Sequence, residues 1–196
     1  MRFQLSFYGD RTRSSMPGRS AVGTPLAPRR VKKQAVRIFK FLFPAGYRGE
    51  VFLCGGAFKP LLMTGLRTND IDLWVRNRKE RDKLEKHLIN RGARLTHDFK
   101  PFCIRLELEG CAVEITYHNT KNSKLPDIVH GFDIAGCAIG AHYRKGRVDQ
   151  TYISAGALET IVRREVVLEH AYLETLAEKK LPTVLRGIDR IQRFAE

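Results

Sequence analysis

Nothing in this chain approaches the roughly 20 consecutive apolar residues that a membrane-spanning helix requires, so integral-membrane functions are set aside at once. Cysteine is sparse, and Cys54, Cys103, Cys111 and Cys137 form neither a CxxC pair nor a Cys/His spacing suited to zinc. Small buried thiols in a reducing, intracellular setting are therefore expected. No internal repeat or low-complexity tract occurs. Acidic residues are scarce at one end: residues 1–48 hold eleven Lys or Arg against Asp10 alone, which places +10 of the formal +14 there. Such an arm reads as an electrostatic hold on the phosphate backbone of a nucleic acid, RNA being the expected one, with a solvated tail as the rival reading. The first thirty residues lack the apolar run of a signal peptide; an organellar transit peptide of similar composition is the minor alternative to a cytoplasmic setting. At 196 residues the chain can bury one good core with a small helical appendage.

Against that background, two neighbouring stretches carry chemistry. The first is Cys54-Gly55-Gly56-Ala57-Phe58-Lys59-Pro60-Leu61-Leu62-Met63-Thr64-Gly65, a strand that runs into a glycine turn and a helix. Exposed N–H groups beside a helix start are suited to phosphate, so Gly55 and Gly56 are candidate nucleotide-binding residues, a mere tight turn being the alternative. The second is Asn69-Asp70-Ile71-Asp72-Leu73-Trp74-Val75. Residues two apart in a strand share a face, so Asp70 and Asp72 converge while Ile71, Leu73 and Val75 enter the core. Paired carboxylates of this kind suit hard divalent cations that also ligate substrate phosphates. Two Mg²⁺ ions, or Mn²⁺ in their place, are the expected cofactors, and a nucleoside triphosphate is the expected substrate.

A third carboxylate comes from a hairpin. Ile104 to Leu108 and Cys111 to Tyr117 alternate cleanly around Glu109-Gly110. Leu108 is then opposite Cys111, Arg105 opposite Glu114 and Cys103 opposite Thr116. Ile104, Leu106, Leu108, Val113, Ile115 and Tyr117 form the buried face, which leaves Glu114 on the other face with Ala112 and Thr116. Glu114 is thus free to join Asp70 and Asp72 as a catalytic metal ligand; a surface ion pair with Arg105 is its competing role.

The remaining pattern predicts an α+β chain. A basic helix is expected around Val31 to Phe43, ended by Pro44. A strand over Val51 to Cys54, a short helix, the Asp70 strand and a charged helix around Lys79 to Asn90, stopped near Gly92, come next. After the hairpin and a loop through Asn119 to Pro126, helices are expected around Phe132 to Ala141, Ala155 to Glu178 and Thr183 to Phe194, with a strand near Arg147 to Thr151. The division expected is a basic, disordered arm over residues 1–30, a head domain over 31–153 and a helical neck over 154–196.

These motifs resemble the head and neck of the class II tRNA nucleotidyltransferases and bacterial poly(A) polymerases, within the polymerase-beta superfamily. Gly55 to Gly65 is similar to that family's GGAVRDLLLG, Asp70-Ile71-Asp72-Leu73 to its DIDL, and Val113 to Tyr117 to its VEVTT strand. Phe132 to Gly140 resembles RDFTINALA, with Asp133 and Ala138 retained, and Leu185 to Ala195 resembles a neck helix ending in RFA. The resemblance implies a nucleotidyltransferase fold, a small mixed sheet with helices on one face, followed by a short neck. It also implies nucleotide contacts for Lys59 and Asp133, where a surface lysine and a helix N-cap are the duller alternatives. Departures accompany the matches. Lys59-Pro60 stands for Arg-Asp, which turns a guanidinium fork into a point charge. Gly131-Phe132 stands for Arg-Arg. The base-reading EDxxR has no counterpart near Leu181 to Leu185, with Arg186 the nearest guanidinium and hence a candidate nucleotide contact.

The mechanism implied is attack of a hydroxyl on the α-phosphate of a nucleoside triphosphate with loss of pyrophosphate, most simply at an RNA 3′ end. A transferase acting on a protein or small molecule, and a non-catalytic nucleic-acid-binding relic, are the alternatives. His97, His118, His130, His142 and His170 have no catalytic spacing and are assigned packing or surface roles.

Overall fold

The computed structural model describes residues 5–7, 26–62, 68, 70–117, 122–163 and 166–168. In chain order the elements are β1 (Leu5–Phe7), α1 (Pro28–Leu42), β2 (Val51–Cys54), a 3₁₀ turn (Gly55–Phe58), α2 (Lys59–Leu62), β3 (Asp70–Trp74), α3 (Arg78–Asn90), β4 (Arg94–Phe99), β5 (Cys103–Leu108), β6 (Cys111–Thr116), α4 (Leu125–Val129), a second 3₁₀ turn (Ala135–Cys137), β7 (Ile139–Arg144), β8 (Arg147–Ile153), α5 (Ala155–Arg163) and β9 (Val166–Leu168). Seven strands form one sheet in the order β4-β5-β6-β3-β2-β7-β8. Its β3–β6 pair is parallel and its other pairs are antiparallel.

Local chemistry accounts for these elements. Helix α1 opens with Pro28, tolerated where the N–H would have no partner. It buries Val31, Ala35, Ile38, Phe39 and Leu42, a stripe at spacings of three and four, and turns its Lys and Arg side chains outward. The N-terminus of α3 is capped by Asn77, whose side chain accepts from the Glu80 N–H at 3.1 Å. Gly92 ends that helix at φ +99, a left-handed conformation open to glycine. Glu109 and Gly110 both have positive φ (52 and 76), the turn that matches the twist of a two-residue hairpin.

Apolar residues from α1 and α3 join Val51, Leu53, Ile71, Leu73, Ile104, Leu106, Leu108, Val113 and Ile115 in one core on a single face of the sheet. The other face is covered in part by a second cluster, in which Leu125, Ile128 and Val129 of α4 pack on Phe52, Cys54 and Ala138. The carboxylate side chains belong to that second face.

The hairpin register is as expected: Leu108 opposite Cys111, Arg105 opposite Glu114, Cys103 opposite Thr116. Other expectations are corrected. The segment read as a helix over Phe132 to Ala141 is the 3₁₀ turn at Ala135–Cys137 followed by strand β7. Its small residues suggest a helix, but Lys145 and Gly146 both adopt positive φ (53 and 80) and fold β7 onto β8 as a second hairpin. Residues Ile139 to Tyr143 are all buried, so β7 lacks the alternation that betrays a half-exposed strand. Glycine is required at Gly140, where an added Cβ would lie 2.7 Å from Leu125 Cδ1 and 2.8 Å from Val129 Cγ2.

Strand β4 is a further departure from expectation. It is an edge strand exposed throughout, with no alternating signal to mark it. Helix α4 falls in the expected loop, its early Pro126 starting the helix and not breaking it. Within the arm expected to lack structure, β1 pairs in parallel with β9, Leu5 opposite Val166 and Phe7 opposite Leu168. The helix expected from Ala155 to Glu178 stops at Arg163 and gives way to β9. The remainder of the expected neck, residues 169–196 with Arg186, lies outside the described residues. No helix among the described residues is long and apolar enough to cross a membrane.

Candidate active site

Strand β3 runs through the middle of the sheet and sets the geometry. On one side it pairs with β2, with Cys54 opposite Asp72. On the other it runs parallel to β6, with Asp70 opposite Ala112, Asp72 opposite Glu114 and Trp74 opposite Thr116. Ile71 and Leu73 point into the core, while Asp70 is exposed and Asp72 half-buried. Asp72 and Glu114 therefore occupy adjacent rungs of one cross-strand row, and Asp70 lies one pleat before them.

The glycine turn closes over this row. Gly55 has φ +72, and a Cβ added there would lie 2.9 Å from both Asp72 Oδ2 and Phe132 Cε1. The Gly56 N–H donates to Asp72 Oδ2 at 3.4 Å, a long contact. A Cβ on Gly56 would meet Asp70 Oδ2 at 3.4 Å and Lys59 Nζ at 3.5 Å, so the lysine ammonium and both aspartates border the same glycine. Five predicted residues, Gly55, Gly56, Lys59, Asp70 and Asp72, are thus brought together at the start of α2.

Electrostatics mark the row as overcharged. Burial, then the charges of Asp70 and Glu114, push the Asp72 carboxyl up from 3.8 to about 6, against the smaller lowering effects of the Gly56 N–H and Lys59. Burial and the Asp72 charge also push the Cys54 thiol up, which keeps it protonated and inert. None of the four cysteines is in a disulfide. The oxygen-only donor set of Asp70 and Asp72, with negative charge beyond what Lys59 offsets, fits a hard divalent cation.

Glu114 is engaged elsewhere in this state. Its Oε2 lies 3.0 Å from Arg105 Nη2, the cross-strand ion pair that the register dictates. It also accepts from the Cys103 thiol, which burial and Glu114 together push up to about 11. Among the described residues, no three His, Cys, Asp or Glu side chains form a ready metal-binding group.

Asp133 is buried, with Oδ1 accepting from the Ile134 N–H at 2.9 Å at the entry to the 3₁₀ turn. It fixes the backbone just after Phe132, whose ring borders Gly55.

Two aromatic neighbours escaped sequence reading. Trp74 meets Phe132 edge-on with centroids 6.1 Å apart. Its Nε1 is buried without a hydrogen-bond partner among the described residues. Trp74 follows Asp72 by two residues, and that alternation is the signal that could have placed it on the carboxylate face. Beyond it, Arg76 stacks over Phe52, Phe52 stacks on His142, and Glu50 ties Arg76 and His142 together at 3.1 and 2.7 Å. Burial lowers the pKa of His142 in spite of Glu50, in keeping with a packing role. A cavity of about 580 Å³ lined by Tyr47, Arg48, Glu50, Arg76, Glu80 and Lys83 lies beyond the other end of β3, away from Asp70 and Asp72.

Solved structures share this architecture. The chain is similar to apo form II of a CCA-adding enzyme, with TM-score 0.55 and 18% identity over 86% of this chain and 41% of that one. It is similar to a CCA-adding enzyme in complex with CTP, with TM-score 0.55 and 16% identity over 71% of this chain and 37% of that one. A tRNA-processing enzyme in an apo form aligns with TM-score 0.50 and 18% identity over 72% of this chain and 35% of that one. The chain therefore spans roughly two fifths of the length of these proteins, and at such identities the likeness is one of fold. That fold is the nucleotidyltransferase head expected from the motifs. No protein-family model and no curated protein matches the sequence.

Proposed function

We propose that the chain is a metal-dependent nucleotidyltransferase that moves a nucleoside monophosphate from a nucleoside triphosphate to a hydroxyl, most simply the 3′ end of an RNA. The carrying observation is the register of Asp72 with Glu114 on parallel strands beside the Gly55–Gly56 turn. The fold likeness to a CCA-adding enzyme solved with CTP supports the same reading.

In this reading the triphosphate rests against the Gly56 amide and the Lys59 ammonium, which offset its charge and hold it over β3. Asp70 and Asp72 would hold the divalent cations, with Glu114 joining them. Such ions polarise the phosphoryl oxygens and neutralise the charge that develops in the transition state. The attacking hydroxyl forms a bond to the α-phosphorus, its proton passes to a Glu114 carboxylate oxygen, and the bond from the α-phosphorus to the oxygen bridging to the β-phosphorus breaks, that oxygen leaving with pyrophosphate. Because Arg105 holds Glu114 in the ground state, the carboxylate is oriented but becomes a proton acceptor when the guanidinium moves to another anion. Phe132 and Trp74 wall the site on the side of α4, where they restrict water.

The test is incubation of the full chain with each α-labelled ribonucleoside triphosphate, Mg²⁺ or Mn²⁺, and total cellular RNA. Label in RNA, lost with Asp70→Asn or Asp72→Asn, is the expected result. Label in protein would redirect the proposal to another acceptor, and no label with any triphosphate would refute it.

A further inference from the structure

The carboxylate face does not end at Glu114. Following the register outward, Asp72 is opposite Glu114, Glu114 opposite Arg105, and Arg105 opposite His97. The next row runs Trp74, Thr116, Cys103, Phe99. His97 and Phe99 thus stand on the same face as the aspartates, about 14 Å away by three strand spacings of about 4.8 Å. Their rings are stacked, with planes 3° apart and centroids at 5.4 Å. Phe99 is 46% exposed and His97 is exposed as well. Two parallel ring faces held open to solvent on an edge strand serve no core. Between them and the aspartates stands a single guanidinium, Arg105, its side chain 47% exposed.

We propose that the β4–β5 half of this face docks the single-stranded 3′ end of the acceptor RNA, with bases stacked on Phe99 and His97 and a backbone phosphate on Arg105. The inference rests on the nucleotidyl-transfer reading and names the acceptor's path within it. Stacking on flat rings tolerates any base but requires that base faces be free, which selects a single strand over a duplex. The placement is continuous with the reacting centre, because Arg105 is the partner of Glu114. A phosphate that draws the guanidinium away also releases the Glu114 carboxylate to take the hydroxyl proton, so arrival of the acceptor readies the base.

The test measures binding of a short fluorescein-labelled single-stranded RNA to the full chain by anisotropy, without divalent metal, for wild type, Phe99→Ala, His97→Ala, Phe99→Leu and Phe99→Tyr. Loss of one stacked base should weaken binding roughly 5- to 150-fold. Phe99→Leu, which keeps apolar bulk but no ring, should fall with the alanine variant, and Phe99→Tyr should bind as wild type. Affinity for a duplex RNA and for ATP or CTP should not change, which distinguishes a docking role from a structural one. If the wild type extends RNA and the Phe99→Ala and His97→Ala variants bind single strands equally well, the platform is refuted alone. If the wild type neither binds nor extends RNA, or labels protein in its place, the platform falls together with the reading beneath it.

Discussion

Asp72 pays for its position, and replacing it with Asn measures by how much. Its carboxyl is raised from 3.8 to about 6 by burial and by the charges of Asp70 and Glu114. At 1.36 kcal/mol for each factor of ten, the charged form is disfavoured by up to about 3 kcal/mol in the fold. The folded-state value lies above the unfolded one, so between about pH 4 and pH 6 the folded chain binds more protons. Stability therefore declines as pH rises through that window, and the full cost is present above it. Asp72→Asn removes the charge, and its side-chain oxygen can still accept from Gly56. In chelator at about pH 7.5 the variant should be about 1–3 kcal/mol more stable than wild type, a rise in Tm of a few to about 12 °C for a chain of this size. Near pH 4, where wild-type Asp72 is protonated, the difference should shrink toward zero. Saturating Mg²⁺ should stabilise the wild type and not the variant, because a cation that binds only the folded state adds its binding free energy. Urea titrations at both pH values, with and without metal, provide the numbers. A variant less stable than wild type at pH 7.5, or equally stabilised at both pH values, would refute the argument. Turnover by the same variant should fall a hundredfold or more.

Three further outcomes are expected. Gly140→Ala should lose about 1–3 kcal/mol in urea denaturation, because its Cβ would press on Leu125 and Val129 in a filled layer. Replacing Arg11, Arg13 and Arg19 with Ser should flatten the salt dependence of RNA affinity by about 0.7 in slope for each phosphate no longer neutralised, while turnover at saturating RNA stays constant; an unchanged slope would show that the arm is merely solvated. Among the four ribonucleoside triphosphates, kcat/KM on one acceptor should differ by only a few kcal/mol, since Leu181, Pro182 and Leu185 offer no side-chain hydrogen bonds to a base edge. Strict addition of two cytidines and then one adenosine would contradict that and point to Arg186 or another side chain as the template.

Much of the fold was legible because the elements around the site obey local rules. A two-residue hairpin turn imposes positive φ at both Glu109 and Gly110, and that turn with the alternation of its flanking strands sets the register that puts Arg105 against Glu114. Helix α1 announces itself by its apolar stripe and Pro44. What misled was burial on both faces: Ile139 to Tyr143 show no alternation because α4 covers one side of β7 and the main core the other. Strand β4 was silent for the opposite reason, since neither of its faces is buried and only pairing with β5 defines it. The pairing of β1 with β9 joins segments more than 150 residues apart in sequence, and three-residue strands carry no periodic signal of their own.

The site was legible to the extent that it depends on spacing of two along a strand, and incomplete where it depends on what lies across the sheet. Asp70 and Asp72 follow from alternation alone. Glu114 follows from the hairpin, yet the same register that delivers it to Asp72 also delivers it to Arg105, and sequence cannot rank the two partners. The ion pair forms at 3.0 Å with both side chains substantially exposed, so it is worth no more than about 1 kcal/mol. An interaction that weak orients Glu114 without committing it. Divalent cations held as proposed, or a phosphate offered to Arg105, would outweigh it, whereas a buried pair would have locked the carboxylate away from the proposed reaction. The shallow placement of Arg105 on the open half of the sheet is therefore consistent with Glu114 serving as a ligand and base that is held ready until the acceptor arrives.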